Sequence, residues 1–88
     1  MSTVIVIGGI NLDCMAYLPY FPMEGNNLRA KEITLSLGGH GANQAVALNK
    51  LKVTNLLLGK VGNDFAGDHI LSALRKYKLN TEYVFKSN

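Results

Sequence analysis

The stretch Gly38-Gly39-His40-Gly41-Ala42-Asn43-Gln44-Ala45 decides how this chain is read. Three glycines in four positions close an alternating segment and open one of helical character, so a strand must turn abruptly into a helix here. Glycine lets that backbone come close to another group, and the first amides of a new helix have no intrahelical acceptor. The expectation is that those amides are free to donate, with Asn43 adding a side-chain amide on the first turn. Such a turn suits an oxygen-rich ligand: a sugar, a phosphate or a carboxylate. The plain alternative is a tight strand-to-helix connection.

Upstream, Leu28 to Leu37 alternates. Arg29, Lys31, Ile33, Leu35 and Leu37 fall on one side, and Ala30, Glu32, Thr34 and Ser36 on the other. This pattern predicts a strand with one wet face. Pro19-Tyr20-Phe21-Pro22 excludes a helix before it, and Gly25-Asn26-Asn27 marks a turn. Two extended segments about that turn predict a flap. Further back, Val4-Ile5-Val6-Ile7 is a β-branched run that reads as a fully buried strand, ending at Gly8-Gly9.

Downstream, Gly41 to Leu51 reads as a helix, with Ala42, Ala45, Ala47 and Leu48 allowing close packing on a sheet. Asn55 to Leu58 reads as a second buried strand, and Gly59 to Asn63 as its exit loop. Asp64 is the expected N-cap of a second helix, whose apolar face is Ile70, Leu71, Leu74 and Tyr77. Arg75, Lys76 and Lys78 suit its C-terminal dipole. Glu82 to Phe85 begins a third strand. The order strand, flap, helix, strand, helix, strand predicts an α/β fold: a partial parallel sheet with flanking helices and a small β lid.

Composition narrows the class. A chain of 88 residues is one small domain at most. Its nine Lys and Arg are dispersed and its net charge is +3, so nothing points to nucleic acid. No apolar run suffices for a membrane span or a signal peptide, and a single cysteine, Cys14, fits a reducing cytoplasm.

Two constellations carry chemistry. Gly8-Gly9-Ile10-Asn11-Leu12-Asp13 follows the first strand, where ligands of open α/β sheets bind, and Asn11 and Asp13 project to one side of an extended backbone. A carboxylate accepting two hydroxyls beside an amide that donates and accepts suits a polyol; stabilising a turn is the alternative. A dinucleotide fingerprint fails because Ile10 stands where glycine is required, and no Walker sequence occurs. His40 lacks partners for a metal, and His69 reads as a surface residue. Cys14 has no neighbouring cation to activate it, and Asp64 and Asp68 read as capping charges. No Ser-His-Asp set or carboxylate pair can be assembled.

Taken in order, Val4–Asp13, the glycine cluster and Gly59-Lys60-Val61-Gly62-Asn63-Asp64-Phe65-Ala66-Gly67-Asp68 resemble the N-terminal third of ribokinase-like carbohydrate kinases, the ribokinase or phosphofructokinase-B family. The likeness covers essentially the whole chain. It implies a Rossmann-like, ribokinase-type sheet, with residues 1–88 as the N-terminal part of the domain and a lid at about 14–37. It also implies that Asn11, Asp13, Gly38, Gly39 and Asn43 contact a small, ribose-like sugar. The catalytic aspartate and the sites for ATP, Mg²⁺ and K⁺ are then expected in a C-terminal half, so this stretch holds no catalytic, nucleotide or metal residue. A homodimer through the lid, or association through the open sheet edge, is implied too. The ribokinase branch usually has Lys at the His40 position and Gly-Glu where Gly25-Asn26 stands. Lys52 and Lys78 occupy positions where the family's helices end in glycine. The competing expectations are a standalone sugar-binding or regulatory module, and a scaffold whose glycine turn binds only phosphate.

Overall fold

A computed structural model describes residues 3–88. The β-branched run forms strand β1 (Val4–Ile7), and the chain then rises into an antiparallel hairpin of β2 (Asn11–Tyr17) and β3 (Glu32–Gly38). Helix α1 (His40–Lys50) returns to β4 (Asn55–Gly62), and helix α2 (Phe65–Lys76) leads to β5 (Val84–Ser87). Strands β1, β4 and β5 make a parallel sheet in the order β1-β4-β5. The predicted α/β order therefore stands.

Several boundaries moved, each because of a pairing partner. Strand β4 continues through the expected exit loop to Gly62 because β5 pairs with Gly59–Gly62. β5 begins at Val84 instead of Glu82, after a turn in which the Val84 amide donates to the Thr81 carbonyl. The strand expected from Leu28 starts at Glu32, where Tyr17 offers a partner, and the hairpin reaches back to Asn11, which pairs with Gly38. At its tip Gly25 takes φ +81, and the Asn26 amide donates to the Met23 carbonyl at 3.0 Å.

Both helices pack on one face of the parallel sheet. Val6, Leu57, Val61 and Val84 from the strands meet Ala42 and Ala45 of α1 and Ile70, Leu71 and Leu74 of α2 in a single core. Alternation sends Ile5, Ile7 and Phe85 to the other face, where Ile7 is 77% and Phe85 53% exposed. The expectation of a fully buried β1 is thus corrected: only Val6 is buried. β1 is an edge strand of a sheet that these helices cover on one side only.

The helix ends follow their side chains. Asp64 caps α2 by accepting from the Gly67 amide at 2.8 Å. Asp68, expected as a second capping charge, lies in the first turn and pairs with Lys86 of β5 at 2.6 Å. Both partners are well exposed, so this ion pair adds little stability. His69 is half-buried, not a free surface residue, and stacks on Phe65 with ring centroids 6.0 Å apart. Each helix ends in a Schellman turn: Lys52 and Val53 donate to Asn49 and Leu48, and Lys78 and Leu79 donate to Arg75 and Leu74. Lys52 and Lys78 accordingly adopt φ +61, the left-handed conformation that glycine adopts without strain.

Two outcomes follow. Lys52→Gly and Lys78→Gly should each stabilise the chain by about 1 kcal/mol, read from urea unfolding. The uncovered face should drive concentration-dependent self-association in sedimentation velocity, and Ile5→Lys should shift the chain towards monomer.

Candidate functional site

The site is assembled where two glycine turns meet. Gly8 and Gly9 leave the C-terminal end of β1, and Gly39 to Gly41 carry the chain from β3 into α1. The approach is backbone to backbone: a Cβ at Gly41 would lie 2.7 Å from the carbonyl carbon of Gly8, and one at Gly39 would overlap the carbonyl oxygen of Gly9. Gly39 itself has φ +94 and ψ 147, a region essentially confined to glycine.

This seam corrects the expectation of free helix amides. The Gly41 and Ala42 amides both donate to the Gly9 carbonyl, at 2.9 and 3.2 Å, and Asn43 donates to Gly39 at 2.9 Å. The start of α1 is stitched to the β1 exit, so the turn is not an open anion cradle. Ile10 explains the failed dinucleotide pattern in physical terms. It is buried and abuts β4, where a Cβ at Gly59 would come within 2.6 Å of its Cδ1.

The seam fixes the root of the hairpin. Asn11 and Asp13 lie on one face of β2, and their register partners Gly38 and Ser36 share that face on β3. A Cβ at Gly38 would overlap the Asp13 carboxylate, so the missing side chain at 38 is what gives Asp13 its place. Asn43 lies one helical turn from Gly39. Asn11, Asp13 and Asn43 are exposed, and no side-chain hydrogen bond among the described residues involves them. The turn-stabilising alternative for Asn11 and Asp13 fails, since both sit within a strand.

The opposite hairpin face carries Leu12, Cys14 and Ala16 with Leu37, Leu35 and Ile33. Leu12 and Leu37 join the core, while Cys14 stays exposed. A groove of about 420 Å³ runs between β3 and α2, bordered by Leu35, Leu37, His69 and Tyr77. A second, of about 460 Å³, lies between β1 and α1. Neither is lined by the five candidate residues. No group of three His, Cys, Asp or Glu among the described residues could hold a metal, and no helix described is long and apolar enough to cross a membrane.

The pfkB family carbohydrate kinase model matches residues 1–88. The chain belongs to that family. It is 41% identical to the deoxyribokinase of Salmonella typhi and 32% identical to the ribokinase of Haemophilus influenzae, in each case over 94% of this chain and 27% of the relative. The structure of Arabidopsis thaliana ribokinase complexed with ribose and ATP superposes with a TM-score of 0.86 at 32% identity, over 98% of this chain and 28% of that one. This pfkB-family chain thus spans about a quarter of the length of the relatives it matches.

The seam and the hairpin root should respond differently to an added methyl group. Gly41→Ala meets backbone and should cost about 1–3 kcal/mol in urea unfolding. Gly38→Ala meets only the Asp13 side chain, so it should cost less while turning that carboxylate away in a crystal structure of the variant.

Proposed function

We propose that residues 1–88 form the sugar-binding and lid portion of an ATP-dependent carbohydrate kinase that phosphorylates a hydroxyl of a ribose-like sugar. One observation carries the reading: Asn11 and Asp13 project, unpartnered, from the hairpin root at the C-terminal end of β1. The ribokinase and deoxyribokinase relatives support a pentose or deoxypentose as the acceptor.

In this reading the Asp13 carboxylate accepts hydrogen bonds from sugar hydroxyls, and the Asn11 amide donates to one oxygen and accepts from another. Gly38 and Gly39 let the sugar approach the backbone, and Asn43 adds a second amide. The hairpin at about residues 14–37 acts as the lid. Its closure excludes water, which would otherwise compete with the sugar as phosphoryl acceptor.

ATP supplies the transferred phosphoryl group when bound to the whole enzyme, and the Arabidopsis relative complexed with ribose and ATP supports its use. The Gly41 and Ala42 amides, already engaged by Gly9, are not free to cradle a nucleotide phosphate, which supports a donor site elsewhere. We assign the catalytic base and the donor site to chain beyond residues 1–88. Pairing of the lid with a second copy is supported by the exposed apolar patch of Ile33 and Leu35, and a cytoplasmic location by the exposed, unpaired Cys14. A standalone module is disfavoured, because Ile5, Ile7 and Phe85 would then stand in water.

Calorimetric titration of the chain with D-ribose and 2-deoxy-D-ribose tests the acceptor site. Binding is expected, and Asp13→Ala should weaken it at least about tenfold, the loss of hydrogen bonds to a charged group. The purified 88-residue chain should release no ADP from ATP in the presence of ribose, fructose or a nucleoside. Turnover would overturn the assignment of the donor half elsewhere.

A further inference from the structure

We propose that Ser36 is a sugar-contacting residue of the hairpin, working as a pair with Asp13. The inference rests on the reading of Asn11 and Asp13 as the sugar site. Its basis is the strand register. Asp13 and Ser36 are direct cross-strand partners, so their Cβ atoms lie about 5 Å apart on one face. The Asp13 carboxylate crowds Gly38, the next residue of β3 on that face, which places the carboxylate on the helix-proximal side of Ser36.

Chemistry makes the two groups complementary. The carboxylate only accepts, whereas the serine hydroxyl both donates and accepts. Neither side chain makes a hydrogen bond among the described residues, and both are exposed. A ligand hydroxyl can therefore give its hydrogen to Asp13 while its oxygen, or that of the vicinal hydroxyl, accepts from Ser36. An acyclic or cyclic polyol presents such adjacent hydroxyls, whereas an inorganic anion is repelled by the carboxylate's like charge.

The hairpin's two faces divide the work. Leu35 and Leu37 flank Ser36 in sequence and face the opposite way, Leu37 packing against the core and Leu35 bordering the open groove beside α2. They hold β3 in register, and a slip of one residue would turn Ser36 away from Asp13. Ser36 thus reads the sugar while its neighbours fix the strand.

The test compares Ser36→Ala, Ser36→Thr and Asp13→Ala in the 88-residue chain, titrated with D-ribose by calorimetry and by amide chemical shifts. Ser36→Ala should weaken binding about fivefold, the value of one neutral hydrogen bond, with the urea midpoint unchanged. Ser36→Thr, which keeps the hydroxyl, should restore the affinity. If Asp13→Ala loses binding while Ser36→Ala keeps wild-type affinity, the Ser36 contact is overturned and the sugar site stands. A Ser36→Ala loss accompanied by a lower urea midpoint would also overturn it, as a structural effect. If the unaltered chain binds no D-ribose, or Asp13→Ala binds it normally, the sugar-site reading falls and Ser36 falls with it.

Discussion

Everything distinctive about this chain depends on the close approach of two backbones, Gly8–Gly9 and Gly39–Gly41. One carbonyl, that of Gly9, accepts from two amides at the start of α1. Any side chain at Gly39 or Gly41 would intrude on that contact. The seam locks the exit of β1 to the entry of α1, and the hairpin springs from the same point. The face of Asn11 and Asp13 at the hairpin root is therefore held by the sheet, although the rest of the hairpin projects from it.

The parallel sheet shows the same economy of contacts. Its helices cover one face, and the core of Val6, Leu57, Val61 and Val84 is built on that side alone. The other face carries Ile5, Ile7 and Phe85 into solvent. The chain belongs to the pfkB family and spans about a quarter of its relatives' length. Two lysines in left-handed turns mark where the chain tolerates strain in place of glycine. Both close Schellman turns whose hydrogen bonds are intact, so the geometry of the helix ends outweighs the local cost.

Much of this was legible in the residues. The β-branched run, the Asp64 cap, the glycine after Glu24 and the helical face Ile70–Leu74 act through near neighbours, and each appeared close to where it was expected. The alternation of Glu32, Thr34 and Ser36 against Ile33, Leu35 and Leu37 also proved a true division of faces. Asn11 and Asp13 stood out because two polar residues at strand spacing follow a β-branched run. Ser36 did not, because a serine on a wet strand face is unremarkable until its partner is known.

The chain by itself determined its element order, its turns and caps, and the polar pair Asn11 and Asp13 on one strand face. These depend on periods of two and 3.6 residues and on contacts a few positions apart. Only the tertiary structure decided that the helix amides are engaged by Gly9, that β4 runs on to Gly62, that β1 is half-exposed and that Ser36 faces Asp13. Each of those outcomes is a pairing between segments far apart in sequence, and no local pattern specifies the partner or the register.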